Sequence, residues 1–161
     1  MPVFFMDTSA IVKRYLNETG SEWVRQTCTE HDAETGEQLH TILIAEIAYV
    51  EVAAAIAKRT MRTKEISETE GKDAYRLFIE HSENEYELVP LTFTRIRPAA
   101  DLALKYALRA YDAVQLSLAF HANELLKENN LSLTFIASDK TLLQAAQAEG
   151  LAVENPSDHL D

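Results

Sequence analysis

The chain has 161 residues, of which 47% are hydrophobic and 25% charged, and its formal net charge is -11. These values predict a single folded domain over residues 1–161 and argue against disorder. The acidic charge disfavours a nucleic-acid partner unless bound cations cancel the excess carboxylates, because Lys and Arg provide most of the affinity for phosphate backbones. No apolar run is long enough for a membrane span or a secretory signal. The single Cys28 allows no internal disulfide and favours a reducing, cytoplasmic setting.

Short apolar runs alternate with longer periodic segments along the chain. This pattern predicts βαβ units and an α/β fold, in which helices flank a short parallel sheet of about four to five strands. The first helix is expected to begin after a cap at Thr8 or Ser9, because hydroxyl side chains accept hydrogen bonds from the free N–H groups of a helix. In chain order, the predicted elements are strand Val3–Met6, helix 8–16, a helix from Ser21 toward Glu30, strand Leu39–Ile44, helix Glu46–Arg62, helix Ser67–Glu83, strand Tyr86–Val89, helix Thr94–Tyr106, helix Tyr111–Asn129, strand Leu133–Ala137, helix Asp139–Glu149 and strand Leu151–Val153.

Two aspartates follow predicted strands. Asp7 comes directly after Val3–Met6, and Asp139 follows Leu133–Ala137 with only Ser138 between them. Open α/β sheets bind ligands at the carboxyl ends of their strands. The two acids can therefore lie side by side if their strands are neighbours. The alternative for each is a helix N-cap stabilised by the helix dipole.

Two further acids lie on predicted helices, close to the apolar face. Glu51 stands four residues after Ile47, on or beside the apolar stripe of the helix predicted over Glu46–Arg62. Asp112 opens an apolar run in the same way. A carboxylate that faces the core is costly unless it is paired or binds a metal. The alternatives are an ion pair of Glu51 with Lys58 or a tertiary Arg, and a first-turn cap at Asp112.

Four acids with independent reasons to face inward predict one shared site, because neighbouring carboxylates repel unless a proton or a cation compensates. Oxygen ligands without Cys or clustered His favour Mg²⁺ or Mn²⁺ over zinc, and such cations assist phosphodiester hydrolysis. The five histidines are dispersed and are expected to be ordinary surface or packing residues. The expected catalytic and metal-binding residues are Asp7, Glu51, Asp112 and Asp139, and the expected supporting residues are Thr8, Ser9 and Ser138.

Five ordered segments carry a resemblance that spans nearly the whole chain. They are Phe4–Tyr15 (FFMDTSAIVKRY), Gly20–Val24 (GSEWV), Tyr49–Ala55 (YVEVAAA), Leu108–Leu116 (LRAYDAVQL) and Thr134–Lys140 (TFIASDK). In this order they resemble the PIN-domain family, particularly the VapC-type toxins of bacterial toxin–antitoxin systems. Each segment alone is weakly specific, whereas the ordered set is typical of the family.

The resemblance implies a PIN fold, an acidic pocket that binds Mg²⁺ or Mn²⁺, and endoribonuclease activity on RNA. It also implies a homodimer and a small antitoxin protein that wraps the toxin and blocks its site, with no role for a membrane. The acids of the family correspond to the same four residues that the pattern indicates, namely Asp7, Glu51, Asp112 and Asp139.

The resulting hypothesis is in-line hydrolysis of an RNA phosphodiester. Two other functions stay open, a PIN-like binding module without nuclease activity and a related nuclease that acts on other nucleic acid. A phosphoacceptor receiver domain is disfavoured, because it needs adjacent acids near the N-terminus and an acceptor Asp in mid-chain. The basic residues expected to contact phosphates outside the pocket are Lys13, Arg14, Lys58, Arg59, Arg62, Lys64, Arg95, Arg97 and Arg109.

Overall fold

The computed structural model describes residues 1–159 as an α/β fold, which confirms the predicted class. Short 3₁₀ turns at Val12–Arg14 and Pro156–Asp158 and a π-helical turn at Lys58–Arg62 supplement the regular elements. These elements are β1 (Val3–Met6), α1 (Thr8–Ile11), α2 (Ser21–Thr29), β2 (Thr41–Ala45), α3 (Ala48–Ala57), α4 (Glu68–Asn84), β3 (Tyr86–Val89), α5 (Phe93–Tyr106), α6 (Ala110–Lys127), β4 (Leu133–Ile136), α7 (Lys140–Ala148) and β5 (Ala152–Glu154).

The five strands form one parallel sheet with the order β3-β2-β1-β4-β5. The chain builds the sheet outward from β1 to β3 and then returns to the other side of β1, where β4 pairs with it. The strand order therefore reverses between β1 and β4. In open α/β sheets this reversal leaves a crevice at the carboxyl ends of the two strands, where ligands bind.

Both faces of the sheet are buried, as is usual for parallel sheets. Successive side chains of a strand point to opposite faces, and two separate apolar clusters result. Phe5 and Phe135 pack with α6 and α7 on one face, while Met6 and Ile136 pack with α1 to α4 on the other. Because both faces are buried, the strands are almost continuous apolar runs. The packing on both sides also fixes the positions of the strand ends.

The first helix differs from its prediction. Asp7, rather than Thr8 or Ser9, is the N-cap of α1 and accepts a hydrogen bond from the Ala10 N–H. The helix lasts only four residues before the 3₁₀ turn at Val12–Arg14. The hydroxyls of Thr8 and Ser9 are consequently available for other partners.

The long helix predicted over Glu46–Arg62 is also shorter in the structure, because regular α-helix covers only Ala48–Ala57. The following five residues form the π-helical turn. No helix among residues 1–159 has the length and apolar character needed to cross a membrane.

Candidate active site

The reversal of strand order places two of the predicted acids at neighbouring strand ends. Asp7 follows β1 directly, and its N–H donates to the Ile136 carbonyl of β4. Ser9 connects the two strand ends, since its hydroxyl donates to Asp7 Oδ1 (2.7 Å) and accepts from the Ser138 N–H (2.8 Å). Asp139 then caps α7 by accepting from the Leu142 N–H.

Asp7 is the most buried of the four acids, with 3% of its surface exposed. Burial raises the pKa of its carboxyl from 3.8 to about 7, against the lowering effect of hydrogen bonds from Ser9 and Ala10. The nearby charges of Asp112 and Glu51 raise the pKa further. Asp7 is thus the N-cap of α1, as the alternative interpretation expected, and it is also a buried carboxyl with a raised pKa. Its role as a cap does not exclude a role in the predicted site.

Glu51 contacts hydroxyl and amide groups instead of a cation. Its Oε1 accepts from Thr8 Oγ1 (3.0 Å) and from Gln115 Nε2 (2.7 Å), and Gln115 Nε2 also donates to Thr8 Oγ1 (3.1 Å). Within residues 1–159 the carboxylate has no salt bridge, so the proposed pair with Lys58 or an Arg is wrong. Burial raises the pKa of Glu51, and the charge of Asp112 adds to this effect.

Asp112 links the other acids electrostatically. It raises the pKa of Asp7 and of Glu51. Its own pKa is raised by burial and then by the charge of Asp139, and Arg109 opposes this rise. The N-cap of α6 is Arg109, so Asp112 lies in the first turn without serving as the cap. All four predicted acids therefore belong to one network of interacting charges.

The donor chemistry of this network fits a hard divalent cation, because every group in it binds through oxygen. Within residues 1–159, however, no three His, Cys, Asp or Glu side chains already stand in an arrangement that would hold a metal ion. Glu51 accepts a hydrogen bond from Gln115, and Asp139 accepts one from the Leu142 N–H, so both carboxylates are engaged with protein donors. The four acids therefore influence one another's pKa without being arranged as a ready set of metal ligands.

Two buried polar atoms at the site lack a hydrogen-bond partner among the described residues, Gln115 Oε1 and Ser138 Oγ. Such atoms are rare in folded proteins, because a buried acceptor or hydroxyl without a partner loses its contact with water. Gln115 is a site residue that the sequence interpretation missed. Its spacing from Asp112 could have indicated it, since residues three apart share a helix face.

Two of the basic residues expected at the entrance are instead structural. Lys13 is buried, and its Nζ donates to the Thr19 carbonyl (2.8 Å). Arg14 donates through Nη1 to Glu85 Oε2 and to the Tyr86 hydroxyl, each at 2.6 Å. The charged groups of Lys13 and Arg14 are thereby bound inside the fold, and the prediction that they contact phosphates is wrong.

The other basic residues divide into engaged and exposed groups. Arg59 was expected to contact phosphates, and in the structure it forms ion pairs with Glu18 and Glu65. Arg95 donates to His121 Nε2 at 3.0 Å. The exposed members of the predicted set are Lys58, Arg62, Lys64, Arg97 and Arg109.

Comparison with known proteins gives a consistent result. The family model described as the PIN domain matches residues 4–147. The chain is 33% identical, over 95% of its own length and 95% of theirs, to Ribonuclease VapC45 and Ribonuclease VapC49 of two Mycobacterium tuberculosis strains. Among solved structures it is similar to VapBC2 from Rickettsia felis bound to a DNA fragment from its promoter, with a TM-score of 0.56, 14% identity and coverage of 95% and 98% of the two chains. That last similarity concerns the fold alone.

Proposed function

The chain belongs to the PIN-domain family, and on that premise we propose that it is a metal-dependent endoribonuclease and the toxin of a toxin–antitoxin pair. The observation that carries the proposal is the network of four interacting acids at the reversal of strand order. The names of its relatives, which are ribonucleases of the VapC type, support the choice of RNA as substrate. A cytoplasmic location is part of the same proposal and agrees with the free, buried Cys28.

The cation is proposed to be Mg²⁺ or Mn²⁺, held by Asp7, Asp112 and Asp139, with Glu51 as a further ligand or as the group that orients a water. When bound, it would compensate the crowded negative charge, polarise the phosphodiester and lower the pKa of a coordinated water. A cation would also resolve the unfavourable placement of a buried carboxylate at Asp7, since it replaces the lost hydration.

The side chains of this chain would orient the reactants. Ser9 donates to the Asp7 carboxylate and is itself held by the Ser138 N–H, while Thr8 and Gln115 donate to the carboxylate of Glu51. In the hydrolysis, water oxygen forms a bond to phosphorus, and the bond from phosphorus to the 3′ oxygen breaks. The attacking water releases a proton to solvent and the departing 3′ oxygen takes one up, which yields 5′-phosphate and 3′-hydroxyl ends.

Cleavage of labelled RNA tests the function. The wild-type chain is expected to cut RNA with Mg²⁺ or Mn²⁺ and to stop when EDTA is added. Glu51→Gln should reduce the rate on the order of 100-fold or more, as loss of a charged active-site group commonly does. Glu83→Gln, at an exposed carboxylate on α4, is the matched control.

Three outcomes would refute or redirect the proposal. Equal rates for wild type and Glu51→Gln would remove Glu51 from the mechanism. Binding of Mn²⁺ without cleavage of any RNA would favour the binding module. Cleavage of DNA of the same sequence in place of RNA would favour a nuclease with another substrate.

A small antitoxin is the proposed protein partner. A cavity of about 510 Å³ between α3 and α4 offers apolar surface for it, lined by residues that include Ile56, Met61 and Tyr75. Met61 is 69% exposed and lies at the edge of this apolar surface. Co-expression with a small open reading frame found next to the gene should yield a stable complex, and Met61→Asp should weaken it. A complex of unchanged affinity would exclude this cavity as the contact.

A homodimer is also proposed, with the outer face of α5 as the contact. Phe93 and Leu104 are 90% and 86% exposed. They are eleven residues apart, which is about three helical turns, so they lie on the same face of α5. Exposed Arg97 and Asp101 lie between them on that face. Antiparallel pairing of two copies about a two-fold axis would bring Phe93 against Leu104 of the second copy and would form two pairs of Arg97 with Asp101.

Light scattering of the purified protein tests this dimer. Arg97→Asp and Asp101→Arg should each lower the measured mass toward that of a monomer, because each places like charges together. The double variant should restore the dimer by reversing both pairs. A monomeric wild type, or single variants that remain fully dimeric, would contradict the pairing.

A further inference from the structure

We infer that Gln115 is a positioning residue of the acidic site, whose amide nitrogen orients Glu51 and whose amide oxygen accepts a hydrogen bond from the hydration shell of a bound divalent cation. This inference rests on the proposed metal-dependent function. It concerns a residue that lies three positions after Asp112 on α6 and that is almost completely buried, with 1% of its surface exposed.

The contacts of the amide nitrogen connect three parts of the fold. Gln115 Nε2 on α6 donates to Glu51 Oε1 on α3 (2.7 Å) and to Thr8 Oγ1 on α1 (3.1 Å). Thr8 donates to the same Glu51 oxygen. One carboxylate oxygen therefore receives two hydrogen bonds from side chains that also contact each other, which restricts Glu51 to one orientation.

The orientation of the amide follows from this arrangement. If nitrogen and oxygen were exchanged, the Gln115 oxygen would lie against Glu51 Oε1, and two acceptors would repel each other. The oxygen is therefore the free end of the amide, and it is buried without a partner among the described residues. Buried carbonyl groups almost always accept a hydrogen bond, so this oxygen is open to a donor that enters the site, such as a water carried by a ligand.

The charge of the site identifies the class of that ligand. The acids around Gln115 attract a divalent cation, whose coordinated waters are good hydrogen-bond donors. A cation of the Mg²⁺ type keeps several of its waters when it binds to proteins. Outer contacts of this kind affect metal affinity on the order of 10- to 100-fold.

Binding of Mn²⁺ to the protein, measured by titration calorimetry, tests the role without relying on catalysis. Gln115→Met keeps the length of the side chain and removes both the donor and the acceptor. We expect its Kd for Mn²⁺ to be roughly tenfold higher than that of wild type. Ser117→Ala is the matched control, because Ser117 is also buried on α6 but donates to the Arg95 carbonyl. Its Kd should not change.

The outcomes separate this inference from the proposed function. If wild type binds Mn²⁺ and Gln115→Met binds it equally well, Gln115 has only a structural role and the inference is wrong, while the nuclease proposal stands. If wild type binds no Mn²⁺ at all, the proposed metal dependence itself fails.

Gln115→Glu provides a second test if the Met variant does not fold. It keeps the size and an acceptor oxygen but puts a negative charge against Glu51. Without metal its Tm should be lower than that of wild type, and Mn²⁺ should raise its Tm by more, because the cation relieves the added repulsion. With RNA as substrate, kcat should fall while KM changes little. An Mn²⁺-induced rise no larger than that of wild type would contradict a position next to the cation.

Discussion

Asp7→Asn should increase the stability of the metal-free protein while it abolishes cleavage. Asn has nearly the same shape as Asp, and its carbonyl oxygen can still accept from Ser9 Oγ and the Ala10 N–H, as Asp7 Oδ1 does. What the substitution removes is a negative charge that is buried beside other acids. A residue that mattered only as a helix cap would behave differently, because Asn caps a helix about as well as Asp and the stability would stay nearly unchanged.

The magnitude follows from the pKa of Asp7. A rise from 3.8 to about 7 on folding corresponds to about 4 kcal/mol of free energy, at about 1.4 kcal/mol per pKa unit. Well below pH 3.8 the carboxyl is protonated in both states and contributes no difference. As the pH rises toward 7, the unfolded chain ionises first, so the free energy of unfolding falls. Above 7 the full penalty is present.

Urea denaturation in EDTA at about pH 4 and about pH 8 measures this difference. We expect the free energy of unfolding of Asp7→Asn to exceed that of wild type by only about 0.5 kcal/mol at the lower pH and by up to about 4 kcal/mol at the higher pH. Asp73→Asn, at an exposed carboxylate, is the control and should match wild type at both. An Asp7→Asn variant that is no more stable than wild type at about pH 8 would contradict this prediction and would leave Asp7 with a structural role only.

Three further predictions concern other parts of the molecule. Asp112→Asn should lose Mn²⁺ binding by calorimetry but gain less metal-free stability than Asp7→Asn, because Asp112 is only half-buried; unchanged Kd would exclude it as a ligand. Arg14→Gln should lower the unfolding free energy by roughly 2 kcal/mol, because it breaks the half-buried pair with Glu85, and a raised KM for RNA at unchanged stability would contradict this. Gly20→Ala should cost about 2 kcal/mol or more, because φ is +84° and the new Cβ would lie 2.2 Å from the Pro156 carbonyl oxygen; a thermal melt equal to that of wild type would contradict the strain.

The strands and the acids at their ends could be predicted because their signals are local. Val3–Met6 and Tyr86–Val89 have the predicted bounds, since each is a short apolar run between polar or turn residues. Asp7 and Asp139 follow strands in the sequence, and parallel pairing of β1 with β4 makes their strand ends neighbours. The local sequence was therefore sufficient to predict both the strands and the acids that follow them.

The roles of Lys13 and Arg14 could not be predicted in the same way. A continuous helix to residue 16 would have left both side chains near the site entrance. In the structure the regular helix ends at Ile11, a 3₁₀ turn follows, and both side chains bind inside the fold. The carboxylate that pairs with Arg14 is 71 residues away on the chain. Contacts at such separation depend on tertiary packing, which hydrophobic periodicity does not describe.

The role of Gln115 could be predicted from the sequence only in part. Its place on the same helix face as Asp112 is visible in the sequence, because the two residues are three apart. Its hydrogen bonds to Glu51 and Thr8 depend on how α1, α3 and α6 meet. A polar residue in an otherwise apolar run indicates a partner, but only the fold identifies which partner it has.

The most direct test of the account is a crystal structure of the protein soaked with Mn²⁺, with anomalous scattering used to locate the metal. We expect a peak between the ends of β1 and β4, within bonding distance of carboxylate oxygens of Asp7 and Asp112. A peak bound to surface carboxylates elsewhere, with the four acids still separated, would contradict the claim that these side chains form one cation site.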